Sequence, residues 1–249
     1  MNVMLKRERG SQMSLTVLGS IVNSSLVTLK DGQILVIDTG GTAEDGKQVY
    51  ERATAMGPVA FVLNTHEHAD HLGGNKFFDC PVIASAPARS AMGKYNQELY
   101  PLPDISFSDG LTLYLGEPVE LQLQGGHCPG VSTIYFPERK LLFVGDLVFN
   151  GRMPYMGVAD FRLWIDNLAK LETWDVDEVV PGHGPLGGRD ILKKQRQWLE
   201  AFVADIKDWQ AAGHSQEEMF ARVLEKHETP DRWHDMVKSA IRLVIEQYR

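Results

Sequence analysis

The chain has 249 residues, 43% hydrophobic and 23% charged, with a formal net charge of −8. A chain of this size can bury a full core without staples, and its acidic balance argues against a nucleic-acid partner, which needs a basic face to displace counterions. No apolar run approaches the ~18 residues of a membrane-spanning helix, and Met1 to Leu15 is charged without the apolar centre of a signal peptide, so no membrane partner and a cytoplasmic location are expected. Cys80 and Cys128 are too few and too irregularly placed for a disulfide framework or a thiolate zinc knuckle.

In chain order, hairpin strands are expected at Leu15 to Val17, Ser25 to Lys30 and Gln33 to Asp38, with Asp31-Gly32 turning between the last two. The run Ile34-Leu35-Val36-Ile37 is apolar throughout and reads as a strand buried on both faces. It ends in the turn Asp38-Thr39-Gly40-Gly41, which feeds a helix from about Ala43 to Met56. Val59 to Leu63 is a second buried strand and leads into the histidine-rich segment Thr65 to His71. Further strands are expected at Val82 to Ser85, Leu111 to Leu115, Val119 to Leu123, Ser132 to Phe136, Leu141 to Val144 and Val176 to Val180. Helices are expected at Ala88 to Tyr95 and Asp160 to Glu172, and the mixture is that of sheets covered by outer helices.

From Asp190 the pattern becomes helical, with Ile191, Leu192, Trp198, Leu199, Phe202, Val203 and Ile206 at helical spacing and Gly213 as the stop. Ser215 and Glu218 form a capping box for a short helix. Thr229-Pro230 opens a last helix, whose buried stripe is expected to be Trp233, Val237, Ile241 and Val244. One domain over residues 1–249 is expected, with a core at about 15–190 and the helices of about 190–249 packed on it.

His66-Glu67-His68-Ala69-Asp70-His71 is the strongest signal. At this composition the pattern His-x-His-x-Asp-His arises by chance on the order of once in a thousand such chains. On an extended segment His66 and His68 point the same way, while Asp70 and His71 face a neighbouring ion once the chain turns at Leu72-Gly73-Gly74. Three more candidates are placed just beyond strands: His127 in Gly125-Gly126-His127, Asp146 after Leu141 to Val144, and His183 in Pro181-Gly182-His183-Gly184-Pro185. His214, His227 and His234 lie in the helical tail and are expected to be solvated or capping residues. Cys128, beside His127, is read as a core filler.

Asp38-Thr39-Gly40, the Thr65 to His71 motif, Gly126-His127, Gly145-Asp146 and Gly182-His183-Gly184 together resemble the metallo-β-lactamase superfamily over roughly residues 15–190. The resemblance implies an α/β fold, a four-layer αβ/βα sandwich, here with a C-terminal helical extension. It implies a first metal held by His66, His68 and His127, a second held by Asp70, His71 and His183, and Asp146 bridging the two. Three neutral imidazoles leave an ion one open position, the mark of a catalytic site. Two zinc ions per chain are expected, with iron or manganese as substitutes.

The implied reaction is attack of metal-bound hydroxide on an ester, thioester, lactone or amide (β-lactam) carbonyl of a small-molecule substrate. Asp70 is the expected catalytic residue, orienting the hydroxide and passing a proton to the leaving group. Asp38 is expected to support the metal-binding histidines or to shape its turn. Arg152 and Tyr155 are candidate substrate contacts, with Tyr95 and Tyr100 further loop candidates. Asp146 stands where zinc β-lactamases commonly carry cysteine or serine, which resembles the glyoxalase II and lactonase pattern. Gly184-Pro185 after His183, and a tail without a basic cluster, depart from the glutathione thioester hydrolases. The stretches Gly145 to Phe149, Gly151 to Pro154 and Pro181 to Pro185, with Trp164, look similar to metallohydrolases associated with quinoprotein and sulfur-oxidation systems. The competing readings are an iron-dependent persulfide dioxygenase and a metal-stabilised binding module without activity.

Overall fold

The computed structural model describes residues 2–9, 13–19 and 21–249, so residues 1 and 10–12 of the charged N-terminal stretch lie outside the described residues. Seven strands form the first sheet in chain order: β1 (Asn2–Arg9), β2 (Met13–Gly19), β3 (Asn23–Thr28), β4 (Ile34–Ile37), β5 (Val59–Leu63), β6 (Val82–Ser85) and β7 (Ile105–Phe107). The pairs are antiparallel up to β4 and parallel from β4 to β7. The second sheet holds β8 (Gly110–Tyr114), β9 (Pro118–Leu123), β10 (Ser132–Phe136), β11 (Leu141–Phe149) and β12 (Glu178–His183), in the order β12-β11-β10-β9-β8. Only β11 and β12 pair in parallel there.

Strand alternation builds the layers. In β4, Leu35 and Ile37 point into the core between the sheets, where they meet Leu63, Ile83, Ile134 and Phe143. Ile34 and Val36 point the other way, onto Val49 and Ala53 of α1 (Ala43–Met56). In β11, Phe143 faces the inter-sheet core while Leu142 and Val144 face the helices. Those helices are α3 (Phe161–Leu171), α4 (Asp190–Ala211), α5 (Gln216–Lys226) and α6 (His234–Gln247). Helix, sheet, sheet, helix is the layered sandwich expected from the sequence, and the C-terminal helices lie against the second sheet.

Some boundaries differ from expectation. The strand expected to stop at Val144 runs on to Phe149, so Asp146 lies within it and not beyond it. The segment Leu141–Phe149 is buried at every position, and parallel pairing with β12 carries it past the glycine. The helix expected at Ala88 to Tyr95 is α2 (Ala86–Met92), capped by the Ser85 hydroxyl accepting from the Ala88 amide. The short β7 was not anticipated. The last helix opens at His234, because Asp231–Trp233 first makes a 3-10 turn after Pro230. Trp233 is therefore not in the buried stripe; it is half-buried beside a cavity. The Ser215–Glu218 capping box forms as read. Among the described residues no helix is long and apolar enough to cross a membrane.

One buried ion pair ties the sheets together at the end away from the histidines. Arg139 donates to Glu117 between β8 and β9, and its Nη2 donates to the Thr28 carbonyl of β3 at 3.0 Å. Replacing Glu117 by Ala strands a buried guanidinium, and urea unfolding should show a loss of about 3–5 kcal/mol. The double variant Glu117→Met/Arg139→Leu should recover most of it; no loss in Glu117→Ala would show that the pair has no structural weight.

Candidate metal centre

The seven side chains singled out in the sequence meet at one edge of the two sheets. His66, His68, His127 and Asp146 form one cluster and Asp70, His71 and His183 another, each with its ligand atoms within 4.8 Å of one another. The histidine-rich segment lies beyond the end of β5, in a loop that closes with a 3-10 turn over Ala69–His71. The loop, not strand alternation, brings His66 and His68 together, with their ring centres 4.7 Å apart. Asp146 reaches the group from inside β11. The glycines beside it are required by space, because a Cβ on Gly182 would overlap Asp146 Oδ1 and one on Gly145 would stand 2.7 Å from the Thr65 side chain.

Four of the five imidazoles are turned by a partner on the outer nitrogen. His71 Nδ1 donates to Asp38 Oδ2 at 2.8 Å, His127 Nδ1 to the Tyr155 carbonyl at 3.1 Å, and His183 Nδ1 to the Ile21 carbonyl at 2.7 Å. The Thr65 hydroxyl donates to Asp38 Oδ2 at 2.7 Å, which leaves its oxygen to accept from His66 Nδ1 at 3.0 Å. Asp38, with φ at +56°, also accepts the Thr65 amide at 2.8 Å, so one buried carboxylate fixes two rings. Asp38, expected to support the histidines or to shape its turn, contacts His71 directly and His66 through Thr65. With the outer nitrogens used, the Nε2 atoms of these four rings are the ones aimed inward, and in the neutral ring each offers its lone pair there. His68 instead presents Nδ1, which lies 3.1 Å from His127 Nε2.

The inward atoms fit a cation and little else in the protein. His66 Nε2, His71 Nε2 and Asp146 Oδ1 are buried without any hydrogen-bond partner. Each such group costs about 1–3 kcal/mol if left bare, and the three are divided between the two clusters, each of which is a donor set that could hold a metal. Imidazole and carboxylate donors suit zinc, iron or manganese.

The metal-free electrostatics are uneven. Burial pushes His66 well below its ordinary value, with the neighbouring His71 adding to it, and burial brings His127 down to about 3. For His71 burial acts the same way, but the Asp146, Asp38 and Asp70 carboxylates outweigh it and raise the ring well above its ordinary value. His183 is likewise raised to about 9, against burial, by Asp146 and Asp70. Burial opposes the charge on Asp146, yet His183, His71 and His66 hold it well below the usual carboxylate range. Asp70, half-exposed at the cavity floor, is lowered against burial by His71 and His183.

Trp164 and Phe149 wall the site off from the core side. The Trp164 ring meets His127 edge-on at 5.3 Å, and Phe149 stacks on His183 at 4.7 Å. Cys128 is buried and donates to Glu67 Oε2 at 3.3 Å, away from the ligand atoms. Above the ligands opens a cavity of about 760 Å³, whose lining includes Arg152, Tyr155, Asp70, Glu228, Arg232 and Trp233. Arg152 and Tyr155 are where the sequence reading put them. Tyr95 and Tyr100 pack on each other at 5.7 Å and do not line the cavity. In the tail, His227 packs on Trp198 and His234 on Phe220, apart from the site. Thr65 and the tail residues of the cavity wall were missed; the hydroxyl beside His66 was a usable signal, whereas nothing local marks Arg232 or Trp233.

Residues 17–183 match the model of the Metallo-beta-lactamase superfamily, more than half of the chain. The chain belongs to the metallo-beta-lactamase superfamily. It is 23% identical over 194 residues to a metallo-beta-lactamase type 2 of Bacteroides fragilis, across 74% of this chain and 78% of that one. It is 32% identical over 143 residues to a hydroxyacylglutathione hydrolase of Erythrobacter litoralis, across 57% of this chain and 53% of the relative. The solved structure of a metallo-beta-lactamase from Pontibacter korlensis superposes with a TM-score of 0.67 at 25% identity, covering 79% of this chain and 98% of that one. The protein is a metallo-beta-lactamase-fold hydrolase with a histidine–aspartate cluster able to hold metal.

At neutral pH the metal-free site holds protons on His71 and His183 that a divalent ion must displace. Titrating the metal-free protein with zinc near neutral pH in weak buffer should release protons, and affinity should fall as the pH is lowered. Binding without proton release would contradict the assigned ligands.

Proposed function

We propose that the protein is a dinuclear, zinc-dependent hydrolase of small-molecule esters, thioesters, lactones or amides. The observation that carries this reading is the pairing of the two ligand groups across Asp146. Its Oδ2 lies 3.6 and 3.5 Å from His66 and His127 Nε2, and its Oδ1 lies 3.2 and 3.3 Å from His71 and His183 Nε2. His66, His68 and His127 would hold the first ion, Asp70, His71 and His183 the second, and Asp146 both. When bound, the ions activate a water at neutral pH and polarise the scissile carbonyl.

The protein's own groups supply the rest. Asp38 and Thr65 keep His71 and His66 in the tautomers that leave Nε2 free. Trp164 and Phe149 exclude water from the inner side of the ligand set. Asp70 alone among the carboxylates of the cluster has an exposed side chain, at 39%, and it opens on the cavity. Its carboxylate would orient the nucleophilic water, take its proton and return that proton to the leaving group. Relatives named as a β-lactamase and as a hydroxyacylglutathione hydrolase support a carbonyl substrate. An iron-dependent dioxygenase has no observation here in its favour.

A panel of chromogenic ester, thioester, lactone and cephalosporin substrates tests the reading. Zinc-loaded protein should turn over at least one class, and Asp70→Ala should lower kcat by about 10²–10⁴-fold while His68→Ala removes activity with the metal. Purified protein holding one iron and consuming oxygen would overturn the proposal, as would variants as fast as the parent.

A further inference from the structure

The cavity above the ligands has two walls of separate origin. One is the loop after β11, with Arg152, Met153 and Tyr155; the other is the segment between α5 and α6, with Glu228, Arg232 and Trp233. The second wall touches the first, since the Thr229 hydroxyl, which donates to the His227 carbonyl at 3.0 Å, lies 3.4 Å from Met153 Sδ, and it meets α4, where His227 packs on Trp198 at 5.2 Å. The tail is thus part of the substrate site and not only a cover for the second sheet.

The chemistry of these walls is divided. Met153, Trp233 and Phe149 make an apolar flank. Arg152 and Arg232 are both exposed, and among the described residues no carboxylate stands within ion-pair distance of either guanidinium. Arg232 has the face of its neighbour Trp233 at 6.0 Å as its packing partner. Glu228 shares the wall, so the walls carry two guanidiniums against one carboxylate, while the other carboxylates of the lining, Asp70 and Asp146, belong to the histidine cluster at its floor. In a chain with a net charge of −8 the general field repels anions, so two guanidiniums without ion-pair partners on the walls of one cavity mark the place where an anionic group can be held. Guanidinium forks match carboxylates bidentately, which gives orientation as well as attraction.

We propose that Arg152 and Arg232 bind the anionic end of the substrate. Its apolar middle lies along Met153 and Trp233, and its scissile carbonyl reaches the ligand cluster. The substrate class is therefore an ester, thioester, lactone or amide that carries a carboxylate. This inference rests on the hydrolase reading above, and its test separates the two.

Zinc-loaded parent, Arg152→Ala, Arg232→Ala and the double variant are assayed with p-nitrophenyl hydrogen glutarate and with its neutral match, p-nitrophenyl pentanoate. The parent should prefer the glutarate ester by about tenfold in kcat/KM, and the ratio should fall toward one in the double variant through KM, with each single variant between. A parent without preference, or a ratio unchanged in the double variant, overturns the inference while hydrolysis itself stands. If the parent hydrolyses neither ester, the hydrolase reading loses support, and calorimetry with glutarate still decides on the arginines. Binding weaker by about tenfold in the double variant than in the parent supports the anion site, and equal binding overturns it.

Discussion

Asp146 is a carboxylate with 2% of its surface exposed, enclosed by the inward nitrogens of four histidines at 3.2 to 3.6 Å. A buried anion in such a place is costly unless positive charge meets it, and here the neighbours can supply that charge only by holding protons or by sharing a cation. The surrounding architecture serves this one requirement. The parallel register of β11 on β12 sets Gly145 against Pro181, and the flanking glycines leave the space the carboxylate occupies. A longer side chain at Gly182 would push it out of the cluster.

Around this centre lies a ring of fixed acceptors, and they are not equivalent. Asp38 orients its histidines from the turn after β4, deep in the first sheet. The carbonyls of Tyr155 and Ile21 belong to segments that also line the cavity. The rings of His127 and His183 are therefore coupled to the walls a substrate touches, whereas His66 and His71 are anchored to the sheet. A ligand that moves the Tyr155 loop moves a ring of the cluster with it.

The layers and the ligand cluster were legible because their signals are local. Ile34 to Ile37 reads as a doubly buried strand from its own residues, and His66 to His71 carries four donors in one short loop. Asp146 and His183 were legible through adjacent glycines, although the strand around Asp146 proved longer than its apolar run implied. What remained hidden depends on long-range contact. Trp233 has the spacing of a buried helical position, yet Pro230 and the 3-10 turn after it rotate the chain so that the ring meets the cavity. Arg232 is an ordinary exposed cation until the fold brings it to the same cavity as Arg152. Backbone carbonyls such as that of Ile21 leave no side-chain trace at all.

The central claim is that two cations share this cluster through Asp146. Zinc-soaked crystals measured on both sides of the zinc absorption edge test it most directly. The account predicts two anomalous peaks about 3.5–4 Å apart, one against His66, His68 and His127 and one against Asp70, His71 and His183, with Asp146 touching both. A single peak at full zinc loading, or zinc bound anywhere but against Asp146, would contradict it.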